Sequence, residues 1–418
     1  MTESMITHLS KPDSRISGEI TLPASKSISN RVLIINALSY SSFPVKNLSD
    51  CDDSIVMDKV LQSDTNRFDI GHAGTAMRFL TAYLSKIVGE WHLTGSERMQ
   101  QRPISILVDA LRKMGAQIEY TGIEGFPPLK ITGTALRGGT IELDGSISSQ
   151  YISALLMIAP TVQGGLSIRL KNSITSRAYI EMTLHLMKKF GIKYQWNGNE
   201  IRIEAQSYKS IPYSVESDWS GASYWYALAA LSDHCDLYLK GLYLNSLQGD
   251  AVQSEWFEKY FGIKSRQEGD SVRLTRNKEV PLKKLVLNFI ENPDIAQTFV
   301  VLSIGKKLPF HFTGLKTLKI KETDRISALK NECAKLGVVL TEPADGELAW
   351  DGTLSASNSE NEPVIATYDD HRMAMAFAPV AMFKGSVGIE DAMVVTKSYP
   401  SFYMDLQKVG FKVEIPTP

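Results

Sequence analysis

The feature of this sequence that most constrains its fold is a segment type that occurs six times. In each copy a few small or polar residues precede an alanine-rich, almost wholly apolar stretch, as in SNRVLIINAL from Ser29 and HAGTAMRFLTAYL from His72. The other four copies begin at Ser148, Ser220, Asn292 and Asp369. Each copy predicts a helix that has a capping residue at its start and is buried on nearly all sides.

A second, amphipathic helix is predicted roughly 25 to 35 residues after the start of each buried helix. Apolar residues recur there at three- and four-residue spacing, and five of the six segments end at a glycine that can cap a helix. Strand-like runs such as GGTIELDG and LSIRLKNS lie between the helices. The simplest interpretation is six copies of an α/β unit, three in each of two domains, with the domain boundary near residue 215. The alternative is an α/β protein whose helices and strands alternate without a repeat.

Size and charge are compatible with this interpretation and narrow the classes of function. The 418 residues correspond to about two to three domains. Lys plus Arg number 45 and Asp plus Glu 46, so the net charge is −1 and the sequence predicts no nucleic-acid partner and no membrane partner. Three cysteines without a CxxC pair indicate a reducing compartment. We find no signal-peptide pattern, interpret the uncharged run 151–168 as a buried helix and a turn, and expect a cytoplasmic protein.

Several familiar sites are missing from the sequence. It contains no GxG, so the dinucleotide-binding pattern is absent, and the SKS at residues 25–27 lacks the glycines of a phosphate loop. There is no HExxH and the seven histidines are scattered, so we expect no metal and no cofactor. Cys51 lies between acidic residues, which raise the pKa of a thiol, so we do not expect it to be a nucleophile.

The starts of the buried helices carry more polar and charged residues than a cap requires. Free backbone N–H groups and the positive end of the helix dipole make a helix start an anion site, and glycines there let a ligand approach the backbone closely. Several such starts that converge between two domains would form an anion-binding cleft. The residues concerned are Ser25, Lys26, Ser27, Ser29, Asn30, Arg31, Gly71, His72, Gly74, Thr75, Arg78, Ser148, Ser149, Gln150, Asp294, Asp369, Asp370, His371 and Arg372.

Three basic segments lie outside these helix starts: GSERMQQRPI with Arg102, LKIKETDRISAL with Arg325, and VVTKSYPSF with Lys397. Each segment also has a plain structural interpretation. KETDR could be a solvated helix with ion pairs, and Arg102 could be a surface loop charge. SSQ and DDHR could be ordinary helix caps. These interpretations weaken when the segments are taken together, because each segment precedes or caps a helix of the repeat.

Taken in order, ten segments resemble the motifs of the EPSP synthase family: LPASKSISNR, GHAGTAMRFL, RMQQRPI, SSQYISALLM, TSRAYIEMT, VESDWSGASYW, NPDIAQTF, KIKETDRI, YDDHRMAMAF and TKSYPSFY. The resemblance extends from about residue 20 to about residue 405. It implies a two-domain, inside-out α/β barrel of six βαβαββ units. Residues 1–24 would join residues 216–418 in a discontinuous C-terminal domain on the phosphoenolpyruvate side. Residues 25–215 would form the N-terminal domain on the shikimate 3-phosphate side, with the active site in the cleft between the domains.

The resemblance also implies a reaction. The enolpyruvyl group of phosphoenolpyruvate would pass to the 5-hydroxyl of shikimate 3-phosphate by addition and elimination, with release of phosphate and with no metal, cofactor or covalent enzyme adduct. Two small anionic substrates would be the partners, and we expect a monomer. Two alternatives stay open: an enolpyruvyl transferase that acts on UDP-N-acetylglucosamine, and a non-catalytic anion-binding protein of the same fold.

The implied site residues follow from the matching motifs. The implied ligands of shikimate 3-phosphate are Lys26, Ser27, Arg31, Ser148, Ser149, Gln150, Ser176, Tyr179, Asp294 and Lys321. The implied ligands of phosphoenolpyruvate are Lys26, Gly74, Arg102, Gln150, Arg325, Arg372 and Lys397. The implied proton-transfer groups are Asp294 near the 5-hydroxyl, and Glu322 with Lys26 near the methylene carbon.

The sequence departs from the family pattern in a few places. His72 stands where an asparagine is common, Phe79 replaces a common proline, and Thr317 stands where an asparagine is common. Arg177 and Ala178 replace a common Lys-Pro pair. These changes fall around the implied phosphoenolpyruvate pocket and leave the charged set intact.

Overall fold

The computed structural model describes residues 5–278, 280–355 and 362–416. Its strands are β1 (Ile6–Ser10), β2 (Arg15–Thr21), β3 (Val45–Lys46), β4 (Arg67–Asp69), β5 (Gly89–Thr94), β6 (Gln117–Tyr120), β7 (Leu129–Gly133), β8 (Arg137–Asp144), β9 (Gln163–Lys171), β10 (Gln195–Asn197), β11 (Glu200–Ile203), β12 (Tyr213–Ser214), β13 (His234–Lys240), β14 (Ile263–Glu268), β15 (Ser271–Arg276), β16 (Leu285–Asn288), β17 (Phe310–Thr313), β18 (Leu348–Trp350), β19 (Val364–Ile365), β20 (Ser386–Glu390) and β21 (Lys412–Glu414). Its α-helices are α1 (Lys26–Leu38), α2 (Asp52–Leu61), α3 (Gly74–Leu84), α4 (Glu97–Gln100), α5 (Ser105–Lys113), α6 (Ser149–Ile158), α7 (Arg177–Lys189), α8 (Trp219–Leu231), α9 (Gln253–Phe261), α10 (Ala296–Gly305), α11 (Arg325–Lys335), α12 (His371–Phe377), α13 (Val380–Lys384) and α14 (Phe402–Lys408).

The chain divides into two compact units. The N-terminal unit is Ala24–Val215, and the C-terminal unit combines Met1–Pro23 with Glu216–Pro418. Strand β1 pairs with β20 and β21, and strand β2 pairs with β13, so the first described strands complete two sheets of the C-terminal unit. Leu9 of β1 and Ile16 and Ile20 of β2 are fully buried there.

One sheet topology recurs in both units. A parallel pair of strands is extended by antiparallel strands in β4-β5-β7-β6 and β8-β9-β11-β10 of the N-terminal unit. The same arrangement occurs in β2-β13-β15-β14, β16-β17-β18 and β19-β20-β1-β21 of the C-terminal unit. The sixth sheet is only the parallel pair β3-β12. Among the described residues each unit therefore has three sheets, as the six-copy interpretation predicts.

Two copies of the unit are shorter than βαβαββ. The first copy contributes no antiparallel strands to its sheet, and the fifth has one named antiparallel strand, β18, with isolated bridges at Val338 and Thr341. The fold class is nevertheless the predicted one. Helices occupy the middle of each unit and sheets surround them, and among the described residues the sheets stay separate instead of closing into a continuous β-barrel.

The six predicted buried helices are α1, α3, α6, α8, α10 and α12, and the amphipathic partners are α2, α5, α7, α9, α11 and α14. In α8 every residue from Trp219 to Ala230 except Ser220 is buried, because helices and sheets surround it on all sides. The predicted glycine caps also form. Gly262 is the C-cap of α9 with φ 68°, and Gly410 after α14 has φ 89°, a region that residues with a Cβ seldom occupy.

The run 151–168 is divided as the sequence predicts, between α6, a 3₁₀ turn at Ala159–Thr161 and the start of β9. No helix in the described ranges combines the length and the apolar character that crossing a membrane requires.

Candidate active site

In the C-terminal unit, one guanidinium group holds three carboxylates together. Arg325 begins α11, and its side chain is 1% exposed. Its Nε lies 2.6 Å from Oδ2 of Asp370, and its Nη2 lies 3.2 Å from Oδ1 of the same residue. Nη2 also lies 2.8 Å from Oε2 of Glu322, and Nη1 lies 3.3 Å from Oδ1 of Asp294. The planar fork of arginine makes this possible, since it offers five N–H donors in fixed directions.

Two further cations meet the same cluster through Asp294. Arg372 Nη2 lies 3.0 Å from Oδ2 of Asp294, and Lys321 Nζ lies 3.4 Å from Oδ1. The cluster thus brings together Asp294, Lys321, Glu322, Arg325 and Arg372, all of which the sequence assigned to the site. Lys397, the sixth predicted residue of this unit, donates to the backbone carbonyl of Asp369 at 2.6 Å.

Short local structures place these side chains. Asp324 caps α11 by accepting from the backbone N–H groups of Ile326 and Ser327, which puts Arg325 at the first helical position. Asp370 caps α12 by accepting from the N–H of Arg372. Asp294 lies in a 3₁₀ turn, Pro293–Ile295, that leads into α10. Arg325 and Arg372 are therefore held at helix starts and Asp294 in the turn before one, whereas Lys321 and Glu322 lie in the segment that precedes α11 and Lys397 ends a 3₁₀ turn.

The cluster strongly favours the charged forms of Asp294 and Arg325. Burial opposes ionisation of Asp294, but the positive charges of Arg372, Lys321 and Arg325 outweigh it and hold the pKa of this carboxyl well below its usual range. Burial likewise opposes the charge of Arg325, whereas Asp370, Glu322 and Asp294 raise its pKa above the ordinary value. Both groups are therefore ionised at neutral pH.

Asp250 and Asp370 are buried members of this region that the sequence analysis did not assign to the site. Asp250 accepts from Nδ2 of Asn292 at 3.0 Å and from Oγ of Ser220 at 2.5 Å. Burial first, and the negative charge of Asp294 second, raise the pKa of Asp250 to about 6. The sequence analysis includes Asp370 only as a helix-start residue. In the structure both of its carboxylate oxygens also accept from Arg325. No sequence signal marks Asp250, which lies in a 3₁₀ turn ahead of α9.

In the N-terminal unit, Arg31 is a buried cation. It is 2% exposed and donates to Oγ1 of Thr183 at 2.7 Å and to the carbonyl of Ser27 at 2.8 Å, with longer contacts to Ser153 and Tyr179. Among the described residues its hydrogen-bond partners are all neutral oxygens. Burial accordingly lowers the pKa of Arg31 to about 10. A buried positive charge with neutral partners is suited to accept an anion.

The start of α3 is tightly packed against two arginines. A methyl group built on Gly74 would lie 2.5 Å from Nη1 of Arg102 and 2.9 Å from Nη1 of Arg78, so only glycine fits here without displacing them. Arg102 is 7% exposed and Arg78 is 5% exposed. Gln150 donates to Oγ1 of Thr75 at 3.3 Å, which joins the starts of α6 and α3.

The remaining predicted residues of this unit also lie at helix starts. Lys26 begins α1, and its positive charge acts on the thiol of Cys51. Ser148 caps α6 through the N–H of Gln150, and Ser149 follows it. Ser176 caps α7 with φ 53°, and Tyr179 lies one turn later, with its ring 6.0 Å from the Arg31 guanidinium. Each unit therefore carries its own group of predicted site residues.

In the described parts of the chain, no three His, Cys, Asp or Glu side chains are grouped so that they could hold a metal ion. The three cysteines are buried thiols, and burial is the first cause of the raised pKa of Cys51, ahead of the acidic neighbour that the sequence suggested.

Comparisons with known proteins agree with the motif assignment. The family model described as EPSP synthase (3-phosphoshikimate 1-carboxyvinyltransferase) matches residues 10–64 and 57–406. A curated protein of Bacteroides fragilis named 3-phosphoshikimate 1-carboxyvinyltransferase is 52% identical over 408 residues, which cover 97% of this chain and 98% of the relative. A Vibrio cholerae protein of the same name is 37% identical over 422 residues, which cover 94% and 97%.

The fold has a solved counterpart. The structure of EPSP synthase from Acinetobacter baumannii superposes with a TM-score of 0.79 at 21% identity, over 99% of this chain and 100% of the other. The similarity at that identity concerns the fold, while the family model and the curated relatives extend along nearly the whole sequence. On these grounds the chain belongs to the EPSP synthase (3-phosphoshikimate 1-carboxyvinyltransferase) family.

Proposed function

We propose that this protein transfers the enolpyruvyl group of phosphoenolpyruvate to the 5-hydroxyl of shikimate 3-phosphate and releases phosphate. One observation carries the proposal beyond family membership. A single buried guanidinium, that of Arg325, contacts Asp294 and Glu322 together, which are the two acids that the reaction needs at different atoms. A non-catalytic anion-binding protein would have no use for two carboxylates among its cations.

We assign shikimate 3-phosphate mainly to the N-terminal unit. The buried charge of Arg31, with Ser27 beside it, suits the carboxylate of the substrate. The hydroxyl groups of Ser148, Ser149 and Ser176, which lie at the starts of α6 and α7, suit its 3-phosphate because helix starts favour anions. Gln150 and Tyr179 complete this set, and Asp294 and Lys321 of the other unit would approach the 5-hydroxyl.

We assign phosphoenolpyruvate to residues of both units. Its phosphate would be bound by Lys26, Arg102 and Lys397, with the backbone at Gly74. Its carboxylate would be bound by Arg325 and Arg372, because guanidinium groups bind carboxylates in a bidentate manner. This assignment makes the cleft between the two domains the active site, and it requires substrate to draw the domains together.

The proposed chemistry has one tetrahedral intermediate, and protons move both when it forms and when it breaks down. The 5-hydroxyl oxygen bonds to C2 of phosphoenolpyruvate as its proton passes to Asp294, while Glu322, assisted by Lys26, protonates the methylene carbon. The resulting tetrahedral intermediate then returns a proton from its new methyl group to Glu322. The bond between C2 and the phosphate oxygen breaks, and the departing phosphate takes up the proton that Asp294 accepted. General acid–base steps of this kind contribute about 10²- to 10⁴-fold each.

The charge cluster suggests how Asp294 becomes a base. Its pKa is low because Arg372, Lys321 and Arg325 surround it, and a strongly acidic carboxyl is a weak proton acceptor. When the carboxylate of phosphoenolpyruvate binds Arg325 and Arg372, it neutralises part of this positive charge. The pKa of Asp294 then rises toward the range in which it accepts a proton.

The test is phosphate release by the purified protein, with single-substrate controls. We expect release only when shikimate 3-phosphate and phosphoenolpyruvate are both present. Release with UDP-N-acetylglucosamine in place of shikimate 3-phosphate would instead identify the sister transferase. Binding without release would identify a non-catalytic protein. The proposal includes a cytoplasmic location. It also includes a monomeric state, because all assigned residues come from one chain, and sedimentation of the purified protein tests the monomeric state.

A further inference from the structure

Two consecutive residues with positive φ precede the α12 site residues. Tyr368 and Asp369 both have φ 55°, although neither is glycine. This left-handed conformation is unfavourable for residues with a Cβ, and it persists only where neighbouring contacts hold it. The segment leads directly to Asp370 and Arg372, which belong to the charge cluster, and the carbonyl of Asp369 is the acceptor of Lys397.

One buried carboxylate, that of Glu332, accepts hydrogen bonds from this segment. Glu332, 1% exposed, accepts from the phenol of Tyr368 at 2.7 Å through Oε1. Through Oε2 it accepts from the backbone N–H of Ala366 at 3.0 Å, and the same oxygen lies 2.7 Å from Nζ of Lys335. A buried charge with three donors is well satisfied, so these contacts are directional and stable.

The same helix holds the other end of the segment. Glu332 and Arg325 are seven residues apart on α11, which places them on one face about 10 Å apart along the axis. Arg325 contacts Asp370, and Glu332 contacts residues 366 and 368. Helix α11 therefore contacts the turn at two points, through Arg325 and through Glu332, and these contacts stabilise the left-handed conformation of Tyr368 and Asp369.

We propose that Glu332 and Tyr368 are positioning residues for the phosphoenolpyruvate half of the site. Their hydrogen bond keeps the 366–370 turn in its left-handed form. That form sets the position of the Asp369 carbonyl, which accepts from Lys397. It also sets the direction in which the Arg372 side chain leaves α12. Neither residue touches substrate in this scheme. The inference rests on the proposed function only in its kinetic consequence, because the hold on the turn is a property of the free protein.

The variant Tyr368→Phe removes the phenol oxygen alone. Tyr368 is 39% exposed, so the change opens no cavity. Tyr243→Phe is the matched control, because Tyr243 lies in the same unit and is 42% exposed. We expect Tyr368→Phe to raise the KM for phosphoenolpyruvate about 5- to 20-fold with less than a threefold change in kcat. The Kd for shikimate 3-phosphate alone should stay within twofold, since most of its assigned ligands are in the N-terminal unit.

A double-mutant cycle then tests the pair. Glu332→Gln keeps the shape of the side chain but weakens its acceptors, and the effects of Glu332→Gln and Tyr368→Phe should combine to less than their product because they break one interaction. Equal falls in kcat for both variants with an unchanged KM for phosphoenolpyruvate would overturn the proposal, since that is the pattern of a general loss of folded enzyme.

Amide hydrogen exchange in the free protein separates this inference from the proposed function. Peptides that cover residues 364–375 should exchange several-fold faster in Tyr368→Phe and Glu332→Gln than in the wild type or in Tyr243→Phe. Unchanged exchange in this segment would overturn the inference even if the enzyme is active. If the two variants exchange faster than the wild type but the wild type releases no phosphate, the inference about the turn stands and the proposed function is refuted.

Discussion

At the scale of single residues, the structure distinguishes charged groups of the same type that differ in burial and in the number of their partners. Arg273 and Arg325 both contact a carboxylate through two nitrogens. Arg273 is a third exposed and lies on a sheet surface, where an ion pair contributes about 0–1 kcal/mol. Arg325 is buried and is shared by three carboxylates, so removing its fork leaves several buried charges without their partner.

We therefore expect Arg325→Lys to be severe. One ammonium cannot span Asp294, Glu322 and Asp370 with the geometry of a guanidinium, and kcat/KM should fall at least about 100-fold with about 2–4 kcal/mol lost from the free energy of unfolding. The control is Arg273→Lys, for which both quantities should stay near those of the wild type. Steady-state kinetics and urea unfolding measure the two effects. A kcat/KM for Arg325→Lys within threefold of the wild type would contradict the cluster's role.

Asp250 should make the stability of the protein depend on pH. Its pKa is about 6 in the folded protein against 3.8 for an ordinary aspartate, so the folded state binds the proton more tightly than the unfolded state. The contribution of Asp250 to stability is then fully present below pH 4 and declines by about 3 kcal/mol as the pH rises through 6. Asp250→Asn removes the titrating group while it keeps a carbonyl acceptor. Its free energy of unfolding should rise relative to the wild type between pH 4 and 6.

Asp236 provides the control of opposite sign for this experiment. Its hydrogen bonds with Arg273 lower its pKa below the ordinary 3.8, so Asp236→Asn should lose stability relative to the wild type as the pH rises toward about 4, and this loss should stay constant above about pH 5. Urea unfolding at several pH values measures both differences. An Asp250→Asn difference that stays constant from pH 4 to 7 would show that Asp250 titrates normally in the folded protein.

At the scale of elements, helix starts position many of the predicted site residues in both units. Each buried helix is fixed by packing along its length, so its first turn is rigid and can hold side chains and N–H groups in place. Helix α3 is the tightest case. Its first residue, Gly74, lies so close to Arg78 and Arg102 that the identity of one residue controls two guanidinium groups.

Gly74→Ala isolates this contact. Alanine is the better helix former by about 1 kcal/mol, so any loss must come from the displaced guanidinium groups. We expect the KM for phosphoenolpyruvate to rise about tenfold with little change in the binding of shikimate 3-phosphate. Gly221→Ala in α8 is the control, because its added methyl would have 3.6 Å to the nearest atom. Steady-state kinetics with each substrate varied in turn measure the effect, and an unchanged KM in Gly74→Ala would show that the contact with Gly74 does not set the position of a phosphoenolpyruvate ligand.

At the scale of the whole molecule, the assigned ligands of each substrate are divided between two units, one of which is formed by two separate segments of the chain. Residues 24–215 form one unit, and the chain on either side of them forms the other. The proposed reaction needs residues of both, such as Arg31 for one substrate and Arg325 for the other. Substrate binding must therefore be linked to domain closure if the assignments hold.

Small-angle scattering tests this closure. We expect the radius of gyration to fall when shikimate 3-phosphate is added, and to fall less in a variant that cannot bind it well, such as Arg31→Ala. Phosphoenolpyruvate alone serves as the control for general effects of anions. Identical scattering with and without shikimate 3-phosphate, at concentrations where binding is complete, would contradict closure.

The sequence by itself determined the repeated unit and the two kinds of helix, and it predicted the charged residues of the candidate site. Apolar periodicity, helix caps and terminal glycines are local signals, and the six buried helices begin within four residues of the starts that those signals predict. The ordered motifs then indicated the family, and with it Asp294, Glu322 and Arg325 as neighbours. What binds each substrate stays a prediction that the experiments above address.

Only the tertiary structure decided which distant residues meet. Strand β1 lies between β20 and β21 although nearly 400 residues separate it from them in the chain, and no local signal specifies that pairing. The hold of Glu332 on the turn at Tyr368, and the burial of Asp250 beside Asn292, depend in the same way on packing between segments. A sequence pattern reports the preferences of neighbouring residues, whereas burial and pKa depend on what the completed fold places around a group.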